Sequence, residues 1–381
     1  MIKNITLLNF IFLLVSLKSF SQDSVTTDST KMYFYHNQDY GSESQFGHMN
    51  AFMSVGFSVV GHDFWGYRVS DIPFKEGWND LKESFTNPEQ IKQYYGSYGE
   101  FFYQEFVPIV GFASYPNYIF HIVGEGMLTR KLYEYNLSKG RSKFKSKLYS
   151  ISTIVSAQIL NEIIEAPITW RGDAISDLVV NNTIGIIAFS SDRVARLFSN
   201  KKVKLYYWPG QPLLDIRDGV MYNNTETYML RTTLGKWTNA KLGILLGLPA
   251  SFGIGITYPI NTKDNLSLFA MAGQQPISPA YPYIAPTANR SVPYSDRQNS
   301  STQITNSPGQ SALRFTWDKN GSLMTTIEVG FPDYNMTVNV YPGIFKNKYF
   351  NIGTFFHTSV KYPTTLGLTC RLSPIMPGIR F

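Results

Sequence analysis

Residues 312–340 read ALRFTWDKNGSLMTTIEVGFPDYNMTVNV, and the period of this stretch decides the fold. Leu313, Phe315 and Trp317 alternate with Ala312, Arg314, Thr316 and Asp318. After the break Lys319-Asn320-Gly321, Ile327, Val329 and Phe331 alternate with Thr326, Glu328 and Gly330. After Pro332-Asp333, Met336, Val338 and Val340 alternate with Asn335, Thr337 and Asn339. Successive side chains of a strand point to opposite faces, so period two broken by turn formers marks antiparallel strands joined in sequence.

The same pattern extends in both directions. Downstream, Phe350, Ile352 and Phe356 alternate with Asn351, Gly353 and His357, and Leu366, Leu368, Cys370 and Leu372 with Gly367, Thr369 and Arg371. Upstream, residues 225–234, 252–259 and 265–271 continue it, with Gly253 and Gly255 giving one strand a small face suited to a close neighbour. The segment 274–310, rich in Pro, Ser, Asn and Tyr, reads as one long loop. Strands with one apolar and one small or polar face, short turns on one side, a long loop on the other and a final Phe381 predict an outer-membrane β-barrel of about 8–12 strands. A periplasmic sandwich would bury the apolar face against a second sheet instead.

The middle of the chain changes period. Residues 118–137, 143–165 and 175–198 each run at helical length. Gly140 lies in a break, Ser142 stands where an N-cap is wanted, and Pro167 stops the second helix. The fold class is therefore α+β, mostly antiparallel β with a three-helix unit. Its divisions are 1–21, 22–116 with short strands at 32–35 and 51–60 and an irregular stretch from 62 to 116, the helical unit 117–200, and the β region 201–381.

Composition bounds the function. Charged residues make up 16% of 381 and aromatics 15%, a balance that suits strands and a membrane–water interface. The net charge of +7 has one local run, Lys139, Arg141, Lys143, Lys145 and Lys147, read as a solvated helix face or a contact for anionic head groups. The lone Cys370 excludes an internal disulfide framework. At the N-terminus Lys3, an apolar run over 5–17 and small residues at Ser19 and Ser21 form a secretory leader, with Gln22 as the first mature residue. Nucleic acid is not an expected partner; membrane lipid and other envelope proteins are.

Chemistry concentrates in the helical middle. His121 and Glu125 are four apart and share a helix face, as do Asp177 and Asn181; Glu162 and Glu165 are three apart. If these faces converge, they form a cluster able to do acid–base work or hold a divalent cation. The same residues also suit a structural network, with Ser176 or Asp177 as a helix cap. His48, His62 and Asp63 are ligands by type only, Ser251 lacks a nucleophile elbow, and no Walker loop, H-E-x-x-H or C-x-x-C occurs. No cofactor or metal is expected.

The run Arg171-Gly-Asp-Ala-Ile-Ser-Asp177-Leu-Val-Val-Asn181-Asn-Thr-Ile-Gly185, with Asn161-Glu162 and His121 upstream, resembles the Arg, Asp, Asn and Gly pattern of the VanZ-like family. It is closer still to uncharacterised envelope proteins that join such a helical segment, with a His, two Glu and Ser-x-x-Asp in order, to β-rich sequence. The resemblance implies His121, Glu162, Glu165 and Ser176 with Asp177 as matching positions. The expected function is a non-enzymatic, structural or interaction role at the outer membrane. The alternatives are an enzyme acting on lipid or an envelope polymer through the polar cluster, and a periplasmic binding module.

Overall fold

The computed structural model describes residues 31–58, 67–87, 89–106, 117–165, 173–217, 219–223, 226–235, 238–247, 251–273, 310–331, 334–346, 351–360, 364–370 and 375–380. The expected leader, the loop over 274–309, His62, Asp63, Arg171 and Phe381 lie outside them. Two compact units emerge, a helical one around Pro73–Arg196 that includes residues 31–35, and a β-rich one built from His36–Ile72, Leu197–Tyr283 and Thr302–Phe381.

In chain order the helices are α1 (Gly41–Ser44), α2 (His48–Gly56), α3 (Phe74–Thr86), α4 (Glu89–Tyr95), α5 (Tyr98–Phe106), α6 (Glu125–Ser138), α7 (Lys143–Glu165), α8 (Asp173–Ile175), α9 (Asn182–Ser190) and α10 (Asp192–Leu197). The described residues also hold a 3-10 helix (Val69–Asp71) and two π-helical segments: π1 (Asn117–Gly124) runs into α6, and π2 (Ser176–Asn181) joins α8 to α9. Residues 51–58, read as part of a strand, belong mainly to α2, which buries Asn50, Ala51, Met53, Ser54 and Val55. The stretch read as irregular holds α3, α4 and α5. Its Pro and Gly punctuate helices instead of dissolving them: Pro73 sits at the N-cap of α3, and Gly96, at φ 82°, follows α4.

The helical unit packs on Phe120, Met127, Leu128, Leu132 and Ile154, all fully buried. The Lys145 backbone N–H donates to Ser142 Oγ at 3.4 Å, consistent with the expected cap on α7. Gly126 and Gly185 set the depth of contact between α6 and α9. A Cβ on Gly185 would lie 2.5 Å from the Ile122 carbonyl oxygen and 2.8 Å from that of His121; one on Gly126 would lie 2.6 Å from the Gly185 oxygen. Farther along α6, Glu134 Oε2 accepts the backbone N–H groups of Tyr33, Phe34 and Tyr35 at 2.8–3.0 Å, while its Oε1 takes Arg130 Nε at 2.9 Å.

Among the described residues the β unit holds one sheet of fourteen strands: β1 (Tyr67–Arg68), β2 (Val203–Tyr207), β3 (Leu213–Asp215), β4 (Val220–Tyr222), β5 (Thr227–Thr233), β6 (Lys241–Gly247), β7 (Ser251–Pro259), β8 (Asp264–Gly273), β9 (Gln310–Lys319), β10 (Ser322–Phe331), β11 (Asn335–Lys346), β12 (Asn351–Thr358), β13 (Thr365–Cys370) and β14 (Met376–Arg380). From β5 to β14 each strand pairs antiparallel with the next. The sheet does not close. Its order runs β1-β4-β3-β14 through to β5-β2, with β1 and β2 as edges among the described residues.

That finding corrects the barrel expectation and its count of 8–12 strands. Period two tells which side chains share a face, whereas closure depends on the first and last strands meeting with a consistent tilt and stagger. Here β14 turns to β3 in a parallel pairing, Met376 opposite Leu213, and β3 carries β4 and β1 outward. The outer-membrane location, the structural role there and the lipid and envelope-protein partners were read from a closed barrel and lose that basis, and with them goes the membrane that the basic run was to meet through anionic head groups. Among the described residues no helix is long and apolar enough to cross a membrane. Lys147, part of the basic run, is buried.

The two faces of the sheet differ sharply. Ile254, Ile256, Leu266, Leu268, Phe315 and Leu368 are exposed, while their neighbours Thr257, Ser267, Thr316 and Thr369 are buried. The buried side mixes polar groups with Trp208, Met229, Leu245, Phe269, Met271, Leu323 and Tyr341. Gly255 leaves room for the Phe269 ring there. At its centre Arg231 Nη2 meets Asp318 Oδ1 at 2.6 Å, and Asp318 Oδ2 also accepts from Asn265 Nδ2 and the Gly321 N–H. Both partners are almost wholly inaccessible.

Breaking such a pair from one side leaves the other charge buried without its counter-ion. Asp318→Asn is expected to lower stability by about 3–5 kcal/mol, with Arg231 stranded inside the sheet. Denaturant unfolding of the full chain checks this, and a loss below about 1 kcal/mol would show that water or another group takes over.

Candidate functional site

The site grows out of two irregular helical turns. His121 lies on π1 and Asp177 on π2. A π turn contains one more residue than an α turn, and such turns recur at functional sites because they re-aim side chains. The two glycines described above bring the backbones of these helices close enough for the side chains to meet. His121 Nε2 lies 3.3 Å from Asp177 Oδ2, and its Nδ1 lies 3.0 Å from Glu125 Oε1. The Nδ1 approach is close but off the line of a hydrogen bond.

Each carboxylate has further partners. Gln158 Nε2 on α7 donates to Glu125 Oε1. Asp177 Oδ1 accepts from Asn181 Nδ2 at 3.0 Å and lies 3.1 Å from Ser176 Oγ. Asn161 Nδ2 donates to Glu165 Oε2 at 3.1 Å. Glu162, 1% exposed, has its Oε1 buried without a hydrogen-bond partner. The structure therefore brings His121, Glu162, Glu165, Asp177 and Asn181 into one cluster with Glu125. Neither Ser176 nor Asp177 caps a helix: Ile175 precedes π2 in helical conformation, with no side-chain cap bond. The carboxylate turns inward to the imidazole instead.

Electrostatics follows from burial. Desolvation works against a charged imidazole, yet Asp177 and then Glu125 outweigh it and hold His121 well above its ordinary pKa. Desolvation pushes Glu125 up to about 7, against the pull of His121. Glu165 is also pushed up to about 7, by desolvation and then by the charge of Asp177. Glu162 is raised well above the carboxylate range, first by burial and then by Asp177 and Glu165, against the pull of His121. The cluster thus holds protons near neutrality that exposed carboxylates would release. No group of three or more His, Cys, Asp or Glu side chains among the described residues has the arrangement of a metal site.

Sequence reasoning missed three members, Gln158, Glu105 and Tyr95. Glu105, on α5, places Oε2 3.2 Å from Ser176 Oγ and takes Tyr95 O–H on Oε1 at 2.7 Å. Tyr95 closes α4. The signal available was the helical period of Phe101 and Glu105, which share a face four residues apart. His48 opens α2, in the β unit, and takes no part in the cluster.

No family model, curated protein or solved structure matches the chain. The VanZ-like resemblance is therefore not supported, and the helices that carry its residues lack the length and apolarity of membrane spans. The spacing of Arg, Asp, Asn and Gly was too short a pattern to carry kinship. Within it, Gly185 answers a local packing need, the close approach of its backbone to that of Ile122.

The raised values fix a pH dependence. Each of these carboxyls holds its proton more tightly in the folded chain, so its contribution to stability is present below the ordinary carboxylate range and fades as pH rises through the folded value. His121, also raised, acts with the same sign. Stability should fall between about pH 5 and about pH 8, and Glu162→Gln, which has no charge to bury, should fall less. Thermal unfolding across that range reads the difference; parallel curves would show that Glu162 does not ionise within it.

Proposed function

We propose that the helical unit is a general acid–base centre and that the chain is an exported enzyme acting on an envelope polymer. The observation that carries this reading is the imidazole of His121 bracketed by the carboxyl groups of Asp177 and Glu125. In this reading His121 moves the proton, Asp177 and Glu125 orient the ring and stabilise its charged form, and Asn181 fixes Asp177. Glu162, kept protonated by burial, is the second acid. Such pairs of titratable groups with separated proton affinities are what acid–base catalysis needs near neutral pH. Ser176 is not the nucleophile: its hydroxyl faces Glu105 and Asp177, not the imidazole that would activate it. The leader at the N-terminus supports export and hence a substrate outside the cytoplasm.

A purely architectural role is the second reading. It is favoured by the saturation of Asp177, whose oxygens engage Ser176, Asn181 and His121.

One experiment separates the two. Purified full-chain protein is incubated with isolated cell-wall peptidoglycan, and released reducing ends and amino groups are counted. The acid–base reading expects release that drops by about 10²–10⁴-fold in His121→Asn, with folding retained. Asp177→Asn, which keeps shape, should likewise lose release while remaining folded. If the wild-type protein releases nothing, or if both Asp177→Asn and Asp177→Ala lose about 1–3 kcal/mol of stability with release unchanged, the architectural reading replaces it.

A further inference from the structure

The outward face of the β unit carries its apolar side chains in rows that run across the strands. Backbone register takes one row from Leu242 on β6 through Ile256, Leu268, Phe315 and Ile327 to Ile379 on β14, with an apolar residue on each strand along the way. Ile256, Leu268, Phe315, Ile327 and Ile379 are exposed. The rows two residues to either side begin Ile254–Ala270–Leu313 and Tyr258–Leu266–Trp317, and they are uncharged as well. The polar and charged partners of these residues, Arg314, Asp318 and Glu328 among them, alternate with them and so point to the opposite face.

The size of this band decides what it implies. Strands lie about 4.8 Å apart and residues two apart along a strand about 6.8 Å. From β6 to β14 and over three rows, the band measures about 40 Å by about 20 Å, an area of about 800 Å². Monomeric soluble proteins rarely expose a continuous apolar patch beyond about 300–600 Å². A stable interface of standard size takes about 800 Å² from each partner. A sheet buries an apolar face against a second sheet about 10 Å away, and the described residues hold one sheet. We propose that the second sheet belongs to another copy of this chain, the two stacking face to face through this band about a two-fold axis. Identical faces suit that contact because neither carries a charge to repel the other, and a two-fold contact closes at the dimer. The inference concerns the β unit alone and does not depend on the acid–base reading.

The test is the mass of the purified full chain in detergent-free buffer, by sedimentation equilibrium from about 1 to about 50 μM, where an interface of this size assembles. Twice the chain mass is expected. Phe315→Lys or Ile327→Lys, near the middle of the row, should raise the dissociation constant by about 30-fold or more, since each charge enters the contact twice. Val360→Lys, at an exposed position beyond the end of β12, is the control and should leave the mass unchanged. The single Cys370, exposed on β13, offers a second measurement that leaves the apolar rows intact. Spin labels there should show a defined dipolar distance that vanishes when labelled chains are diluted with unlabelled ones. A monomer at every concentration, or a dimer that survives both lysine substitutions in folded protein, overturns the proposal. So does wild-type protein that floats as a monomer with phosphatidylethanolamine–phosphatidylglycerol vesicles, because lipid then covers the band. Should neither lysine variant fold, the dipolar distance decides, and its absence sinks the dimer.

Discussion

Burying several carboxyl groups around a single imidazole is the constraint that organises the helical unit. An isolated ionised carboxylate in a protein interior is so unfavourable that it is paired or neutralised. His121 pairs two of them, Glu125 and Asp177. Glu162 and Glu165 answer by holding protons to higher pH. The geometry that permits this depends on close backbones, which Gly126 and Gly185 provide. Packing and protonation are therefore one problem here. A side chain at either glycine would part the helices, and the imidazole would lose the carboxylate that neutralises it.

The β unit solves burial in another way. Its sequence alternates as an amphipathic sheet should, but the side of the sheet that packs inward carries Thr257, Thr316, Asn339 and the Arg231–Asp318 pair among its aromatic and sulfur-bearing residues. Hydrogen bonds and charge pairing hold that interior together with apolar contact. Such interiors specify one arrangement sharply, since each unsatisfied group is costly.

How much of this was legible in the sequence varies by physical cause. Strands β9 to β13 were readable because period two is a local property and turn residues mark their ends. The helices α6 and α7 were readable through length, the break at Gly140 and the cap at Ser142. The spacings His121–Glu125 and Asp177–Asn181 gave shared faces, and the distances of 3.0 Å within each pair follow from that. Closure of the sheet was not legible, because the partner of β14 is chosen by strands some 160 residues upstream in the chain. The helix α2 was hidden because AFMSVG carries apolar residues that suit either period over so short a run. Glu105 was hidden because its helix lay in a stretch whose glycines and prolines suggested loops.

The π turns that hold His121 and Asp177 make the site sensitive to a change of one residue in length. Such a turn is an α turn with one residue too many, so removing one residue from either segment would restore an ordinary helix. The shortened helix would present a different side chain at that place, with His121 and Asp177 turned away from one another. The hydrophobic helix stripes, and much of the fold with them, would survive such a deletion, while the means of bringing imidazole and carboxylate together would be lost. Helix length at these two places is therefore as much a part of the site as the identities of its side chains.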